Sequence, residues 1–315
     1  AGYIPRVVDL ELDSLLADAP ALALEGPKAV GKTETLRRRA ATTYLLDDVS
    51  VRNALEAAPN QLADAAPPVL LDEWQRLPLV WDLVRRHVDA DPRGSRFLLS
   101  GSAAPLEAPV HSGAGRIITL RMRPLSLFER QMSNAHISLE DLLTGVKPSI
   151  SGSSAATLGD YLLELVASGF PAIRNAPARV RDELLDGYLE RLAQRDFPDQ
   201  GHRLRRPDAL KAWLRAYAAA TATTASYSSI LDAATPGEGE KPARGTTEAF
   251  RSVLTELFVL DPLGAWAPAG SHLQRLGRAP AHHLADPALA ARLLGLSKAA
   301  LLRGQQAGPI SLRDG

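Results

Sequence analysis

Residues Gly26–Thr33 constrain this chain more than any other segment, because they read Gly-Pro-Lys-Ala-Val-Gly-Lys-Thr directly after the apolar run Ala21–Leu24. The pattern G-x-x-x-x-G-K-[ST] lets backbone N–H groups turn inward around a phosphate. Its lysine reaches the outer phosphates, and its hydroxyl residue binds magnesium. Residues Lys32–Ala40 are predicted to form a helix whose amino terminus faces the same anion. The segment therefore predicts a strand, a phosphate-binding loop and a helix, and it indicates a nucleotide-binding protein. The predicted nucleotide contacts are Gly26, Pro27, Lys28, Ala29, Val30, Gly31, Lys32, Thr33 and Glu34.

A second predicted strand, Pro68–Leu71, ends in the adjacent acids Asp72 and Glu73. In phosphoryl-transfer enzymes the first carboxylate at such a strand end helps to hold magnesium, and the second can polarise the attacking water. Neighbouring residues on a strand point in opposite directions, so the two acids can serve different tasks. The alternative is an ordinary strand that ends in a solvated acidic turn. The phosphate loop upstream favours the first interpretation.

A third predicted strand, Arg96–Leu99, is followed by Ser100-Gly101-Ser102. Open α/β sheets bind ligands at the carboxyl edge of their strands, so Ser100 or Ser102 is a candidate sensor of the terminal phosphate. A serine and glycine turn that merely leaves the strand explains the same residues. A further strand is predicted at Gly115–Leu120, and a helix at Leu79–Val88.

The period of the apolar residues changes along the chain and suggests its organisation. After a stretch rich in Ser, Gly and Pro around Lys147–Ser154, apolar residues recur at helical spacing. We expect an α/β ATPase-like domain over 1–146, a helical region over 158–206 and a winged-helix-like domain over 207–285. Residues 286–315 are expected to begin a truncated carboxyl-terminal region. The predicted fold class is a P-loop NTPase parallel sheet with helices on both faces, followed by a helical and winged-helix-like region.

The winged-helix-like segment makes DNA an alternative partner. Lys241, Arg244 and Arg251 are predicted near its exposed side, and such modules contact phosphate through arginines and helix termini. Three basic residues are also a normal solvated face. Trp213 and Tyr217 could stack on bases, but their helical spacing favours burial in the core.

Composition excludes several functional classes. The chain has 315 residues, with 36 basic and 36 acidic side chains, so no global field attracts nucleic acid or anionic lipid. It contains no cysteine, which removes disulfides, thiol catalysis and thiolate metal sites. No apolar run approaches the roughly 18 residues of a membrane helix, and no signal peptide opens the chain. We expect a cytoplasmic protein without a membrane partner.

Taken in order, these features resemble a prokaryotic AAA-like ATPase family whose members carry an appended domain of unknown function, number 4143. The matching segments are Gly2–Arg6, the phosphate loop, Leu71–Pro78, Leu99–Ser102, Gly115-Arg116, Arg123–Ser126, Ser168–Pro171 and Asp286–Ala290. The resemblance covers essentially the whole chain. It implies an ATPase core and a winged-helix region, whereas the nuclease-like part of typical members is not expected here, because no E-x-K triad follows.

The resemblance also implies roles for individual residues. Lys32 would contact phosphate, Thr33 would bind Mg²⁺, Asp72 would support the magnesium shell, and Glu73 would be the base that positions water. Arg116 matches a Gly-Arg pair of the family and could act as an arginine finger on a neighbouring subunit of a homo-oligomer. An arginine that opens a strand also commonly forms a surface ion pair.

Two functions remain as hypotheses at this point. The first is a Mg²⁺-dependent ATPase, cycling between ATP and ADP, that switches the winged-helix region. The second is a DNA-binding regulator that responds to ATP with little hydrolysis. A phosphotransferase fits less well, because adjacent acids at a strand end suit water activation. The chain has no Asn-Lys-x-Asp segment for reading guanine, so an adenine nucleotide is the predicted ligand.

Overall fold

A computed structural model describes residues 2–103, 113–132, 137–146, 150–151, 153–202, 204, 206–235, 242–266 and 278–304. The strands are β1 (Ala21–Glu25), β2 (Thr42–Leu45), β3 (Val69–Asp72), β4 (Phe97–Gly101) and β5 (Ile117–Arg121). The helices of the first half are α1 (Val7–Leu16), α2 (Lys32–Arg37), α3 (Val49–Ala57), α4 (Gln61–Asp64), α5 (Leu79–Ala90) and α6 (Leu139–Leu143). Those of the second half are α7 (Leu158–Val166), α8 (Pro171–Arg174), α9 (Ala178–Arg191), α10 (Pro207–Ala219), α11 (Tyr227–Ala234), α12 (Arg244–Glu256), α13 (Pro287–Leu293) and α14 (Lys298–Leu302).

The five strands form one sheet in the order β2-β3-β4-β1-β5, and every neighbouring pair is parallel. Parallel strands place all their carboxyl ends at one edge of the sheet, which is where ligands bind in open α/β folds. Strand β4 lies between β1, which leads into the phosphate loop, and β3, which leads into the two acids. The topology therefore brings the three predicted segments to the same edge.

Alternate residues of the strands belong to two different apolar clusters, as the period of a β-strand requires. Ala21 and Ala23 of β1 pack in a cluster with apolar side chains of α3, α4 and α5. Leu22 and Leu24 pack in the other cluster, together with side chains of α1, α2 and the helices after residue 158. All four residues are at most 1% exposed. The expectation of a parallel sheet with helices on both faces is confirmed.

The predicted strands and helices of the sheet region are found with small shifts of their ends. The strand predicted at Pro68–Leu71 is β3, and the helix predicted over Lys32–Ala40 ends at Arg37. Helix α5 forms where predicted, because Val80, Val84 and Val88 repeat on one face and are buried against the sheet. No helix among the described residues has the length and apolar character needed to cross a lipid bilayer.

The second half of the described chain is helical, and its helices bury the faces that their periodicity predicts. Leu185 and Tyr188 of α9 are buried, as are Phe250 and Val253 of α12. Trp213 and Tyr217 of α10 are 1% and 0% exposed, with ring centroids 5.3 Å apart, so both are core residues. The base-stacking alternative for these two aromatics is therefore wrong.

The antiparallel hairpin that a winged helix would carry after α12 is only partly present in the described residues. Two isolated antiparallel bridges join Leu260 to Leu284 and Leu263 to Ala281, while Ala265 and Trp266 belong to no strand. The segment 267–277, Lys241 and the side chain of Arg244 lie outside the described residues, as do 147–149 and 152 of the Ser- and Gly-rich stretch. The predicted domain limits at 146, 158, 206 and 285 stay predictions.

Candidate functional site

The predicted phosphate loop runs from the carboxyl end of β1 to the start of α2 and depends on two of its glycines. A Cβ atom at Gly26 would lie 2.2 Å from the carbonyl oxygen of Met122, so only glycine allows this approach of the loop to the chain after β5. Gly31 has a φ of 106°, which is left-handed backbone that favours glycine. Both loop glycines of the motif are therefore required by the backbone path.

Lys32 is almost completely buried, and its ammonium group turns back onto the loop. Its Nζ donates hydrogen bonds of 2.9 Å to the carbonyl oxygens of Gly26 and Pro27. Burial lowers the pKa of Lys32 to about 8, although the carboxylates of Glu73 and Asp72 oppose that shift. The lysine is thus held at the place where a phosphate would sit, in a setting that disfavours its charge until an anion arrives.

Asp72 joins the loop to the two neighbouring strands. The Thr33 hydroxyl donates to Oδ1 of Asp72 at 2.9 Å, and the Ser100 hydroxyl donates to the same oxygen. Asp72 itself is 5% exposed. Burial raises the pKa of the Asp72 carboxyl, against the hydrogen bonds from Ser100 and Thr33, which favour its ionised form. The structure therefore brings together three predicted residues from three separate segments.

Glu73 lies beyond the end of β3 rather than in the strand, and this differs from the simple alternation expected for two adjacent strand residues. Its φ of 55° and ψ of 46° are left-handed, and its backbone N–H donates to Oγ of Ser100 at 3.1 Å. Its Oε2 accepts hydrogen bonds from the Ser102 hydroxyl at 2.8 Å and from Nε2 of Gln75 at 2.5 Å. The two acids still face different partners, because the backbone turns between them.

The two serines predicted as phosphate sensors lie at this edge and are both buried. Each hydroxyl donates to an acid, Ser100 to Asp72 and Ser102 to Glu73. In this arrangement they order the carboxylates. A direct contact with the terminal phosphate stays a prediction.

Arg116 is not brought to this edge. It precedes β5, whose first residue Ile117 lies beside Ala21 at the amino end of β1, so the length of the sheet separates it from the loop. Its Nε donates to Oδ1 of Asp89 at 2.8 Å, in an ion pair whose two side chains are about 40% exposed. Arg116 therefore forms a surface ion pair, which is the alternative to a role as an arginine finger. A role as a finger would require a neighbouring subunit.

Two contacts of the loop, and a third that holds Arg6 beside it, were missed by reasoning from the sequence. Arg6 is buried, and its Nη1 donates to the carbonyl of Val30 at 2.8 Å while its Nε donates to Glu129 at 3.0 Å. Lys28 forms an ion pair of 2.5 Å with Asp196, which lies in the π-helical turn after α9. For Arg6, the sequence signal was its place in Gly2–Arg6, a segment that resembles a known family. The pairs Arg6–Glu129 and Lys28–Asp196 depend on tertiary packing between residues more than a hundred positions apart.

Two family models match separate parts of this chain. Residues 18–131 match a family model described as an AAA domain, and residues 159–300 match a domain of unknown function, DUF8612. The identity of the appended region as number 4143 is therefore not confirmed. Uncharacterized proteins of Mycobacterium tuberculosis and Mycobacterium bovis are each 26% identical over 298 residues, which is 92% of this chain. The chain spans about 60% of the length of these relatives.

A solved structure shows the same fold. The Walker-type ATPase of Pyrococcus abyssi superposes with a TM-score of 0.52 at 16% sequence identity, covering 92% of this chain and 96% of its own. The chain thus has the α/β fold of P-loop NTPases with a helical region after the sheet, and its amino-terminal part is AAA-like. These similarities support nucleotide binding.

Proposed function

We propose that this chain binds ATP with Mg²⁺, hydrolyses it, and uses the cycle to change the arrangement of its carboxyl-terminal region. One observation carries the proposal. Thr33 of the phosphate loop donates to Asp72 at 2.9 Å, and Glu73 follows directly with its carboxylate held at the same sheet edge. A loop that binds phosphate, a pair of oxygens for a cation and a second carboxylate are the parts that phosphoanhydride hydrolysis needs.

The oxygens of Thr33 and Asp72 fit Mg²⁺, which prefers hard oxygen ligands in octahedral geometry and keeps several waters. The described residues hold no group of three His, Asp or Glu side chains able to cage a metal by themselves. When bound, Mg²⁺ would neutralise charge that develops on the phosphate oxygens. In this proposal Thr33 is its direct protein ligand, and Asp72 accepts from that hydroxyl and from Ser100.

Lys32 and Glu73 do the remaining chemistry in this proposal. Lys32 Nζ would give up its hydrogen bonds to the carbonyl oxygens of Gly26 and Pro27 and bind phosphate oxygens instead. The negative charge of the phosphates would favour the protonated form of Lys32, which burial disfavours. Glu73 would orient and polarise the attacking water through the carboxylate oxygen that neither Ser102 nor Gln75 contacts. The loop amides and Lys32 would then stabilise the charge on the transferred phosphoryl group.

Contacts between the sheet region and the later helices support the coupling. Lys28 of the loop is paired with Asp196, and both Arg121, the last residue of β5, and Arg123 are paired with Asp261. A phosphate on the loop would compete with Asp196 for the Lys28 ammonium. One apolar cluster spans both regions, so the rearrangement we propose is a small shift of packed helices and not their release.

Two variants test the ATPase proposal. Lys32→Ala should abolish nucleotide binding in calorimetry with Mg²⁺ present, because the buried cation of the loop is lost. Glu73→Gln should keep binding and lower turnover by about 100-fold or more, as expected for loss of a general base. Lys211→Ala is the matched control, since this lysine pairs with Glu190 on the surface of the second region. Binding by Lys32→Ala, or full turnover by Glu73→Gln, would contradict the proposal.

Measurements of DNA binding and of ATP turnover distinguish the ATPase from the alternative, a DNA-binding regulator that responds to ATP. A regulator would bind duplex DNA with a strong salt dependence and turn over little ATP. Arg251, one of the cations considered for DNA contact, stacks its guanidinium over the ring of Tyr227 at 4.4 Å.

Light scattering with and without nucleotide, compared between wild type and Arg116→Ala, tests the proposed finger on a neighbouring subunit.

A further inference from the structure

The carboxylate of Glu73 is held by side chains from two segments. Gln75 Nε2 and Ser102 Oγ both donate to Oε2 of Glu73, and Gln75 Nε2 also lies 3.3 Å from Oγ of Ser102. No described residue donates to Oε1. The three side chains form a small triangle that fixes one carboxylate oxygen and leaves the other available to a water.

The backbone around this triangle is built to place Gln75. Glu73 adopts a left-handed conformation, which costs a residue with a Cβ roughly 1 kcal/mol or more. The turn continues as a short 3-10 helix, Trp74–Arg76, and Trp74 is anchored with its ring 4.5 Å from that of Trp81. The reversal thereby carries the Gln75 side chain back toward the end of β4.

Gly101 makes room for this arrangement. A Cβ atom at residue 101 would lie 2.8 Å from Nε1 of Trp74 and 3.4 Å from Oε1 of Gln75. The glycine between Ser100 and Ser102 therefore allows Trp74 and Gln75 to approach the strand. This gives the sequence Ser-Gly-Ser a reason beyond that of a turn that leaves a strand.

The position of Gln75 is poorly explained by stability alone. Its Oε1 is buried without a hydrogen-bond partner among the described residues, and so is Nε1 of the adjacent Trp74. Each buried polar atom without a partner costs about 1–3 kcal/mol. Such atoms are tolerated mainly where a site needs the geometry.

We propose that Gln75 is a positioning residue for the catalytic carboxylate: its amide, with the Ser102 hydroxyl as second donor, orients Glu73 toward the attacking water. This inference rests on the proposed ATPase function. Gln75 does not touch the nucleotide in this assignment, and it acts through Glu73.

Gln75→Leu tests the inference, because leucine approximates the volume of glutamine but cannot donate. We expect kcat to fall about 10-fold to 100-fold, as for a misplaced catalytic group, with an unchanged nucleotide Kd. A merely structural role would lower the melting temperature and weaken nucleotide binding as well, so a loss confined to kcat identifies a positioning role. Gln61→Leu at the exposed start of α4 is the matched control.

Ser102→Ala and the double variant complete the test. The two single losses in kcat should not add, because both donors act on one oxygen. If Gln75→Leu does not fold, Gln75→Met carries the same test with a flexible side chain. If Glu73→Gln is inactive, wild-type kcat in the Gln75 variants, or a loss of nucleotide affinity as large as the loss of kcat, would overturn this inference alone. Full turnover by Glu73→Gln would overturn the proposed base, and this inference with it.

Discussion

The two faces of the sheet are buried by different parts of the chain. Among the described residues, one face packs against helices that connect its own strands, and its cluster contains Trp74, Trp81, Val84, Ala23 and Leu99. The cluster of the opposite face also contains residues from the later half of the chain, including Phe170 and Trp213. The first face is a local product of the sheet region, whereas the second joins that region to the rest of the molecule.

This difference bears on how a nucleotide site could communicate with the later helices. The site lies at the edge where both faces meet, and the shared face gives the helical region a direct mechanical contact with β1 and β4. Loop and strand-end ion pairs at Lys28, Arg121 and Arg123 add polar links to that contact. Packed interfaces of this kind shift between discrete arrangements more readily than they deform continuously.

Substitutions that create a cavity on each face of the sheet test the difference between the two faces. Leu98 and Leu99 are neighbours on the central strand β4, both are 0% exposed, and they belong to opposite clusters. Leu98→Ala and Leu99→Ala should each lower the free energy of unfolding by about 2–5 kcal/mol, measured by urea denaturation. Only Leu98→Ala should speed amide exchange in α10, because only its cluster contains that helix. Equal exchange in α10 for both variants would contradict the division into a local and a shared face.

A second comparison concerns the stabilisation by polar contacts. Asp286 makes such contacts inside the helical region, and Asp261 makes them between that region and the sheet. Asp286 is fully buried and accepts from Ser168 Oγ at 2.5 Å and from Gly169 N at 2.8 Å. Asp286→Ala should cost about 2–4 kcal/mol, since these two buried donors and the buried N–H of Ala288, which donates to Oδ1 of Asp286 at 3.0 Å, lose their acceptor. Asp261→Ala, which removes the partner of the half-exposed Arg123, should cost about 1 kcal/mol or less.

Urea unfolding of the two variants measures both losses. Asp286→Asn is the control, because its amide oxygen can still accept one of the hydrogen bonds and should recover part of the loss. Equal losses for Asp286→Ala and Asp261→Ala would show that the link between the regions is as strong as the interior of the second one.

The parts that the sequence predicts well are those whose signal is local. The apolar runs of β1, β3 and β4 and the spacing of the phosphate loop are sufficient to place Lys32, Thr33 and Asp72 at one edge, because parallel strands share their carboxyl ends. Strand β2 is missed since it has only four residues and, as an edge strand, alternates between half-buried and exposed positions. Its pattern is too short to be distinguished from a loop.

What the sequence does not predict depends on turns and on distant contacts. Nothing in the letters Glu-Trp-Gln shows that the chain reverses at Glu73 and places Gln75 beside Ser102. The pairing of Lys28 with Asp196 joins residues 168 positions apart. Arg116 is a similar case, because its partner Asp89 comes from the end of α5. Such contacts are set by the packing of whole elements, which residue spacing does not encode.

At the edge between the two faces, Lys32 is buried where a phosphate would bind, and this burial destabilises the folded state. Its pKa is about 8 in the folded, nucleotide-free protein, below the ordinary lysine value of 10.5. Between these values the unfolded chain binds more protons, so stability should rise with pH across this window, and the unfavourable contribution is fully present below pH 8. Nucleotide affinity should change in the opposite direction. Above pH 8 the ammonium must be reprotonated to meet the phosphates, which weakens binding by up to about tenfold per pH unit.

Calorimetric titration with ADP, repeated between about pH 7 and pH 10, measures the affinity, and urea unfolding measures the stability. Lys32→Met should remove the rise in stability, because methionine carries no titrating proton. Lys32→Arg should bind with little pH dependence over the same range, since a guanidinium stays charged. If the nucleotide affinity of the wild type did not change with pH around pH 8, the ammonium of Lys32 would not be the group that binds the phosphates. The burial of Lys32 at the sheet edge would then be only a feature of packing.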